Sequence, residues 1–324
     1  MLRLLAVFDR YTLALVATLA AAMVIPCSGV VATAFDAAST IAIALLFFLH
    51  GARLSRDAII AGLVHWRLHL LVLGCTYVMF PLFGVGIEWL MPVGVLAPDL
   101  MLGVLFLCAL PSTVQSSIAF TSMARGNVAA AVCSASLSNL LGVFLAPALV
   151  ALMLHAESTG GPALDSIGKI VIQLFLPFVA GHLARPLIGR VVDRSSRLLA
   201  YTDRGTVLLV VYVAFSASVV DGLWAQLQMT SLMALLGVVA LLLVLALGFT
   251  TLLSRRFNLS VEDEIAVVFC GSKKSLASGV PIAKILFAGN PALGMIVVPI
   301  LLYHQIQLIA CAVLARRYAR RVDS

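Results

Sequence analysis

Two adjacent lysines inside an apolar stretch are the residues of this sequence whose chemistry most needs an explanation. Lys273 and Lys274 stand in the segment CGSKKSLASGVPIAKILFAGN, from Cys270 to Asn290. A basic side chain at the centre of a membrane helix costs about 2.5–3.5 kcal/mol on insertion scales. Neighbouring helical residues point about 100° apart, so no single rotation of the helix hides both lysines. We expect the pair to face hydroxyls, backbone carbonyls, water or a bound anion.

A second polar interruption, CALPSTVQSSIAFTSMARGN, runs from Cys108 to Asn127. Like the lysine segment, it begins apolar, becomes small and polar, and ends in Gly-Asn before the next apolar run. Proline lacks an N–H, and hydroxyl side chains compete for backbone hydrogen bonds, so we expect both helices to be interrupted. The candidate substrate- or ion-binding residues are Pro111, Ser112, Thr113, Gln115, Ser116, Ser117, Asn127, Ser272, Lys273, Lys274, Ser275 and Ser278.

Three further polar residues in apolar spans join these candidates. Asn139, His304 and Gln305 all lie where a polar group is costly, and polar groups deep in a span tend to be functional. The six cysteines are scattered without metal-ligand spacing, which predicts small buried side chains and no metal site.

The composition places these segments in a membrane. Hydrophobic residues make up 62% of the 324 residues and charged residues 11%, against about 45–50% and about 25% in soluble domains. So few charges could not cover a soluble surface. This excludes a soluble enzyme, a nucleic-acid-binding domain and a disordered regulator, and predicts an all-α membrane protein with the lipid bilayer as its partner.

Ten stretches reach the roughly 20 apolar residues that a helix needs to cross a bilayer. Their runs are unbroken, which favours helices over a membrane barrel. We expect one polytopic domain over residues 1–324. The predicted spans are Tyr11–Val31, Ala37–Leu54, Leu68–Leu90, Leu100–Ala124, Val128–Leu154, Ile167–Ile188, Thr206–Leu223, Met229–Leu253, Ile265–Ala288 and Pro291–Ala315.

The basic residues predict the orientation. Most of the 21 lysines and arginines fall on one side when the spans alternate, from Arg3 through Arg56 and Arg190 to Arg317. Because basic loops stay in the cytoplasm, we expect both termini there and the protein in the plasma membrane.

The two polar interruptions also predict an internal repeat. Asn127 and Asn290 close them almost half a chain apart, with five spans between. An odd number of spans inverts the second half, giving repeats over residues 11–154 and 167–315. Matched interruptions in inverted halves are the best sequence pointer to a transporter's binding site.

At these residues the chain resembles the bile acid:sodium symporter superfamily, and within it the SBF-like branch that includes bacterial sodium-dependent transporters and the seventh member of human solute carrier family 10. The resemblance rests on Ala42–Ser55 (AIALLFFLHGARLS) and on the two polar segments. It implies ten helices in two inverted five-helix repeats. It also implies a panel domain of helices 1, 2, 6 and 7, and a core domain in which interrupted helices 4 and 9 cross.

The chain departs from the family at the cation site. Sodium-coupled members carry a Glu before the ninth-helix glycine and a Gln-Asn pair after it. The resemblance places Phe269 at the Glu position and Lys273-Lys274 at the pair, with Ala131 and Ala135 where hydroxyls are expected. Two ammonium groups repel a sodium ion, so we expect the sodium site to be lost.

These observations predict a secondary transporter of a small anionic organic solute that works by alternating access. Sodium is disfavoured as the coupling ion, and proton coupling stays open because burial favours the neutral form of a lysine. The sequence holds no nucleotide-binding motif. Two alternatives are a non-transporting membrane regulator, for example of calcium handling, and an intramembrane hydrolase that pairs a serine with a lysine. The solute and the oligomeric state are not predicted.

Overall fold

The computed structural model describes residues 10–53, 65–155 and 164–321, which fold into α-helices without a β-strand among them. Arg3 and Arg56, two of the residues behind the predicted orientation, lie outside these ranges. A π-helical turn, Cys75–Met79, connects the helix that ends at Gly74 to the helix that begins at Phe80. The helices are α1 (Arg10–Val24), α2 (Gly29–Arg53), α3 (Trp66–Gly74), α4 (Phe80–Leu90), α5 (Pro98–Ala109), α6 (Gln115–Met123), α7 (Val128–His155), α8 (Leu164–Arg194), α9 (Ser196–Val220), α10 (Leu223–Gln226), α11 (Met229–Arg256), α12 (Val261–Gly271), α13 (Leu276–Leu286) and α14 (Leu293–Arg320).

Seven helical segments within the described ranges are long and apolar enough to cross a membrane. Two further apolar helices, α1 and α5, are shorter. The protein is therefore an all-helical integral membrane protein, as its composition predicts. The count of ten spans and their inverted arrangement stay predictions.

The first two predicted spans have the wrong boundary. Tyr11–Val31 was expected to be one span and Ala37–Leu54 the next, but α1 ends at Val24 and α2 already begins at Gly29. Pro26 lies between the two helices, where its missing N–H and its restriction of the preceding residue end α1. The proline therefore ends the helix although the sequence stays hydrophobic through this turn.

The chain separates into two compact units. The first unit comprises residues 1–54, 163–229 and 280–298, and it contains α1, α2, α8, α9 and α10. The second comprises residues 55–162, 230–279 and 299–324, and it contains α3 to α7, α12 and all of α11 but its first residue. The helices α13 and α14 each contribute to both units.

Within the first unit, two glycines allow α2 and α8 to approach each other closely. A Cβ added to Gly51 would overlap the carbonyl oxygen of Phe178, and one added to Gly181 would overlap the carbonyl oxygen of Phe48. Small residues at such contacts allow membrane helices to pack backbone against backbone, where dispersion forces provide the attraction.

We expect Gly181→Ala to lower the free energy of unfolding by about 2 kcal/mol, because the added methyl group forces the two helix backbones apart. Gly205→Ala in α9 is the matched control, since a Cβ there meets no atom within 4 Å. Thermal unfolding in detergent measures both. A Gly181→Ala protein as stable as the Gly205→Ala protein would contradict this packing.

Candidate functional site

Both predicted interruptions are present, and they contact each other within the second unit. The first lies between Ala109, where α5 ends, and Gln115, where α6 begins. The second follows Gly271, where α12 ends. The backbone N–H of Ser275 in the second break donates to the carbonyl oxygen of Pro111 in the first, at 2.8 Å.

Hydroxyl groups of the first break satisfy the carbonyl end of α12. The Ser112 hydroxyl donates to the carbonyl of Cys270 at 2.5 Å, and the Ser117 hydroxyl donates to that of Phe269 at 2.8 Å. Thr113 shares hydrogen bonds with Ser116 and Ser117 at 2.8 and 3.0 Å. Because the last carbonyls of a helix lack partners in their own helix, these hydroxyls stabilise the end of α12.

Asn139 on α7 connects the two breaks. Its Nδ2 donates to the carbonyl of Ser112 at 2.6 Å, and its Oδ1 accepts a hydrogen bond from the Ser278 hydroxyl at 2.7 Å. The neighbouring Ser138 accepts a hydrogen bond from the backbone N–H of Ser112 at 3.0 Å. Ser275 lies in the same network, since its hydroxyl is 3.2 Å from that of Ser278. Asn139 therefore belongs with the residues of the breaks.

The ammonium group of Lys274 lies in a cage of backbone carbonyls. The side chain is fully buried, and Nζ donates to the oxygens of Thr76, Cys108 and Leu110 at 2.9, 2.9 and 2.7 Å. Nζ also lies 4.1 Å from the centre of the Phe80 ring, within cation–π range. All three donor hydrogens of the ammonium group thus have an acceptor.

Helix interruptions free these three carbonyls. In the π-helical turn, the N–H of Phe80 bonds to the carbonyl of Cys75, and Pro81, the next residue, has no N–H to offer Thr76. The N–H of Ser112, which would bond to Cys108 in a continuous helix, bonds to Ser138 instead. Leu110 follows the last residue of α5. Lys274 therefore supplies donors that the backbone cannot.

Gln307 on α14 holds the backbone of the second break. Its Oε1 accepts from the N–H of Lys274 and its Nε2 donates to the carbonyl of Lys274, both at 3.1 Å. His304 Nδ1 lies 3.1 Å from the same Nε2. The Tyr303 hydroxyl donates to the carbonyl of Ser272 at 2.6 Å. Through these bonds to the backbone of Ser272 and Lys274, α14 fixes the position of both lysines.

Lys273 differs sharply from its neighbour. It is fully buried, yet among the described residues its Nζ has no hydrogen-bond acceptor. The ammonium group lies 3.8 Å from the centre of the Phe120 ring and 5.7 Å from that of Phe269. Aromatic faces attract a cation but do not replace hydrogen bonds. Lys273 is therefore a buried charged group of this site that has aromatic contacts but no hydrogen-bond acceptor among the described residues.

The positions at which the chain departs from the sodium-coupled pattern are apolar in the structure. Phe269 is fully buried, and its ring contacts those of Phe120 and Tyr318 at 5.9 and 6.3 Å. Ala131 and Ala135 are fully buried in a hydrophobic cluster with Cys270. These side chains offer a cation neither a carboxylate nor a hydroxyl.

The hydrolase alternative fails on geometry within the described chain. The Ser272 hydroxyl donates to the carbonyl of Val268 at 2.6 Å, while Lys274 is held by backbone carbonyls and Lys273 by aromatic rings. A Ser-Lys nucleophile needs the two side chains within hydrogen-bond reach.

The residues described also contain no group of three His, Cys, Asp or Glu side chains that could hold a metal ion.

Three predicted residues lie away from this network. Gln115 is exposed, and Gln305 is partly buried on α14. Asn127 directly precedes α7: its Oδ1 accepts from the N–H of Ala130 at 3.0 Å, and its Nδ2 donates to Asp263 at 2.8 Å. Asn127 thus caps α7.

Thr76, Tyr77, Ser138 and Gln307 contribute to the network without having been proposed as binding residues. The Tyr77 hydroxyl donates to the carbonyl of Ser138 at 2.5 Å. Pro81 signals a carbonyl without its donor one turn earlier, but in an α-helix that carbonyl would be the one of Tyr77. The π-helical turn moves it to Thr76. Gln307 could have been chosen over Gln305 only with knowledge of which face of α14 meets the second break.

We expect Lys274→Met to lower the free energy of unfolding by about 3 kcal/mol or more, because three buried carbonyls lose their donor. Lys273→Met is the matched control, since Met keeps the contact with Phe120 and no hydrogen bond is lost. Thermal unfolding of both variants in detergent distinguishes the two lysines. Equal losses would contradict the separate roles assigned to them.

Comparison with known proteins identifies a family of transporters. The profile of the SBF-like CPA transporter family matches residues 9–320. An uncharacterized protein of Pseudomonas aeruginosa is 60% identical over 316 residues, covering 97% of this chain and 94% of its own. The Escherichia coli K12 protein named "Putative symporter YfeH" is 51% identical over 322 residues, covering 99% of this chain and 96% of its own.

A more distant relative has a name that specifies a substrate and an ion. The "Sodium/bile acid cotransporter 7" of Mus musculus is 29% identical over 278 residues, covering 85% of this chain and 81% of its own. The matching family is a transporter family, and two of these relatives are named as a symporter and a cotransporter. The chain belongs to the SBF-like CPA transporter family.

Proposed function

We propose that this protein is a secondary transporter that moves a small anionic organic solute by alternating access, without a bound sodium ion. The observation that carries the proposal is the placement of Lys274, whose ammonium group occupies a cage of three backbone carbonyls. Carbonyl oxygens are also the ligands that hard cations take in proteins. Lys274 thus supplies permanently the positive charge that a coupling ion would bring.

The other positions of the family's cation site support the loss of sodium. Phe269, Ala131 and Ala135 are buried and apolar where the resemblance places a carboxylate and hydroxyls in sodium-coupled members. With both lysines in place, a sodium ion would have no anionic ligand and would be repelled by two ammonium groups.

Lys273 is the group that we assign to the solute. A buried ammonium without an acceptor gains most from a partner that is both an anion and a hydrogen-bond acceptor, as a carboxylate or sulfonate is. Loss of its proton also removes the energetic cost of burying a charge that has no hydrogen-bond acceptor. Binding of an anion and exchange of a proton at Lys273 are therefore linked, and this supports proton coupling.

The wider architecture belongs to the same proposal. Ten spans in two inverted repeats, over residues 11–154 and 167–315, place the two interruptions at matching positions. The grouping of α1, α2, α8 and α9 in one compact unit supports a panel domain. The charge distribution supports termini in the cytoplasm, and the relatives in Pseudomonas aeruginosa and Escherichia coli support a location in a bacterial inner membrane.

Uptake into proteoliposomes tests the function, with taurocholate and small mono- and dicarboxylates as probes. We expect uptake of an organic anion at equal rates in sodium and potassium buffers, and faster uptake when the outside is acidic. Lys273→Met should reduce this uptake at least tenfold while the protein remains folded, because the anion loses its charged partner. The Lys284→Met protein is the control for loss of a lysine elsewhere in the chain.

Strict dependence of uptake on sodium would contradict the proposal and would indicate that the protein is a sodium-coupled transporter. Undiminished uptake by the Lys273→Met protein would remove Lys273 from the site. No uptake of any probe by a correctly folded protein would favour the non-transporting regulator.

A further inference from the structure

A second charged site lies in the second unit, where α11 ends, α12 begins and α14 ends. It is a cavity of about 620 Å³ lined by three arginines, Arg255, Arg317 and Arg321, together with Glu264, Tyr318 and Leu314. The residues of the two interruptions do not line it. Neither the proposed transport function nor the family comparison assigns it a ligand.

The internal ion pairs of the cavity leave positive charge unmatched. Glu264 is already bound to Arg255 at 3.1 Å and to the Tyr318 hydroxyl at 2.7 Å. Arg321 is bound to Glu262 at 3.1 Å. Arg317 is exposed, and no carboxylate within the described ranges lies at ion-pair distance from it. The cavity therefore offers an anion at least one free guanidinium group.

Guanidinium groups favour one class of anion. Their planar donors match the oxygens of a phosphate in pairs, and a cluster of arginines binds phosphate more specifically than a set of lysines does. The side chain of Arg255 is 68% exposed although it is paired, so its remaining donors can also reach a ligand.

The surface beside the cavity favours a lipid over a soluble phosphate. Leu252 on α11 and Val313 on α14 are 63% and 51% exposed, about one helical turn from Arg255 and Arg317. Val261, which lines the cavity, is 43% exposed. An apolar surface that leads to a basic pocket fits an acyl chain below its headgroup, and such pockets bind anionic lipids on the cytoplasmic side of membranes.

We propose that this cavity binds the phosphate of an anionic phospholipid, with Arg317 as the free guanidinium group that receives it. The site lies on the side of the protein where the basic residues predict the cytoplasm, which is the side where such basic pockets occur. The proposal does not depend on which solute the protein transports.

Thermal unfolding in nanodiscs tests the proposal, with phosphatidylcholine alone or mixed with phosphatidylglycerol. We expect phosphatidylglycerol to raise the unfolding midpoint of the unaltered protein. Arg317→Gln should weaken the apparent affinity for phosphatidylglycerol about fivefold, the effect of one basic residue near a membrane surface. Arg320→Gln is the matched control, because Arg320 is exposed on the same helix and does not line the cavity.

Each outcome decides the matter. If phosphatidylglycerol raised the unfolding midpoints of the Arg317→Gln and Arg320→Gln proteins equally, the assignment to this cavity would be overturned. No rise in the midpoint of the unaltered protein would also overturn it. An equal rise with inorganic phosphate in phosphatidylcholine nanodiscs would overturn the lipid as ligand. Should Arg317→Gln fail to fold, Arg317→Lys replaces it, with a smaller loss expected because lysine keeps the charge but not the paired donors.

Discussion

Backbone carbonyls that a helix interruption frees inside a membrane need a donor, because lipid and buried apolar side chains offer none. In this protein three such carbonyls, from Thr76, Cys108 and Leu110, converge on one ammonium group. The interruptions and Lys274 therefore depend on each other. Without the lysine, the carbonyls would be buried and unsatisfied, and without the freed carbonyls the lysine would be a buried charge with no acceptor.

The rest of the site follows from this arrangement. Lys274 belongs to the second break, and its acceptors belong to α5, to the first break and to the π-helical turn between α3 and α4. Gln307 then holds the backbone on both sides of the same residue. The elements that surround the breaks are thus connected through one side chain, which leaves the neighbouring Lys273 as the charged group without such restraint.

The sequence was sufficient to predict the helical membrane class, both interruptions and the burial of two lysines, because each of these leaves a local signal. Pro111 and the serines that follow it weaken a helix wherever they occur, and a lysine between apolar residues is conspicuous. The boundary near Pro26 was wrong because hydropathy continues through a turn that the proline enforces.

Other features depend on tertiary contacts that no local pattern reports. The two lysines are adjacent and chemically identical, yet one is bound by carbonyls and the other by the Phe120 ring. Which lysine receives which environment is decided by the helices packed around the break. The same holds for Gln307, which differs from Gln305 only in the face of α14 that it occupies.

The most direct test of the central claim replaces the fixed ammonium with asparagine, the residue that the resemblance to sodium-coupled members of the superfamily implies at this position. In Lys274→Asn the three carbonyls lose their donor, and a cation from solution can take its place. We expect thermal stability in detergent at constant ionic strength to be the same in sodium and potassium for the unaltered protein. The Lys274→Asn protein should be less stable in potassium and should recover part of the loss in sodium. A sodium-specific rise in the stability of the unaltered protein would contradict the claim that Lys274 occupies the cation site.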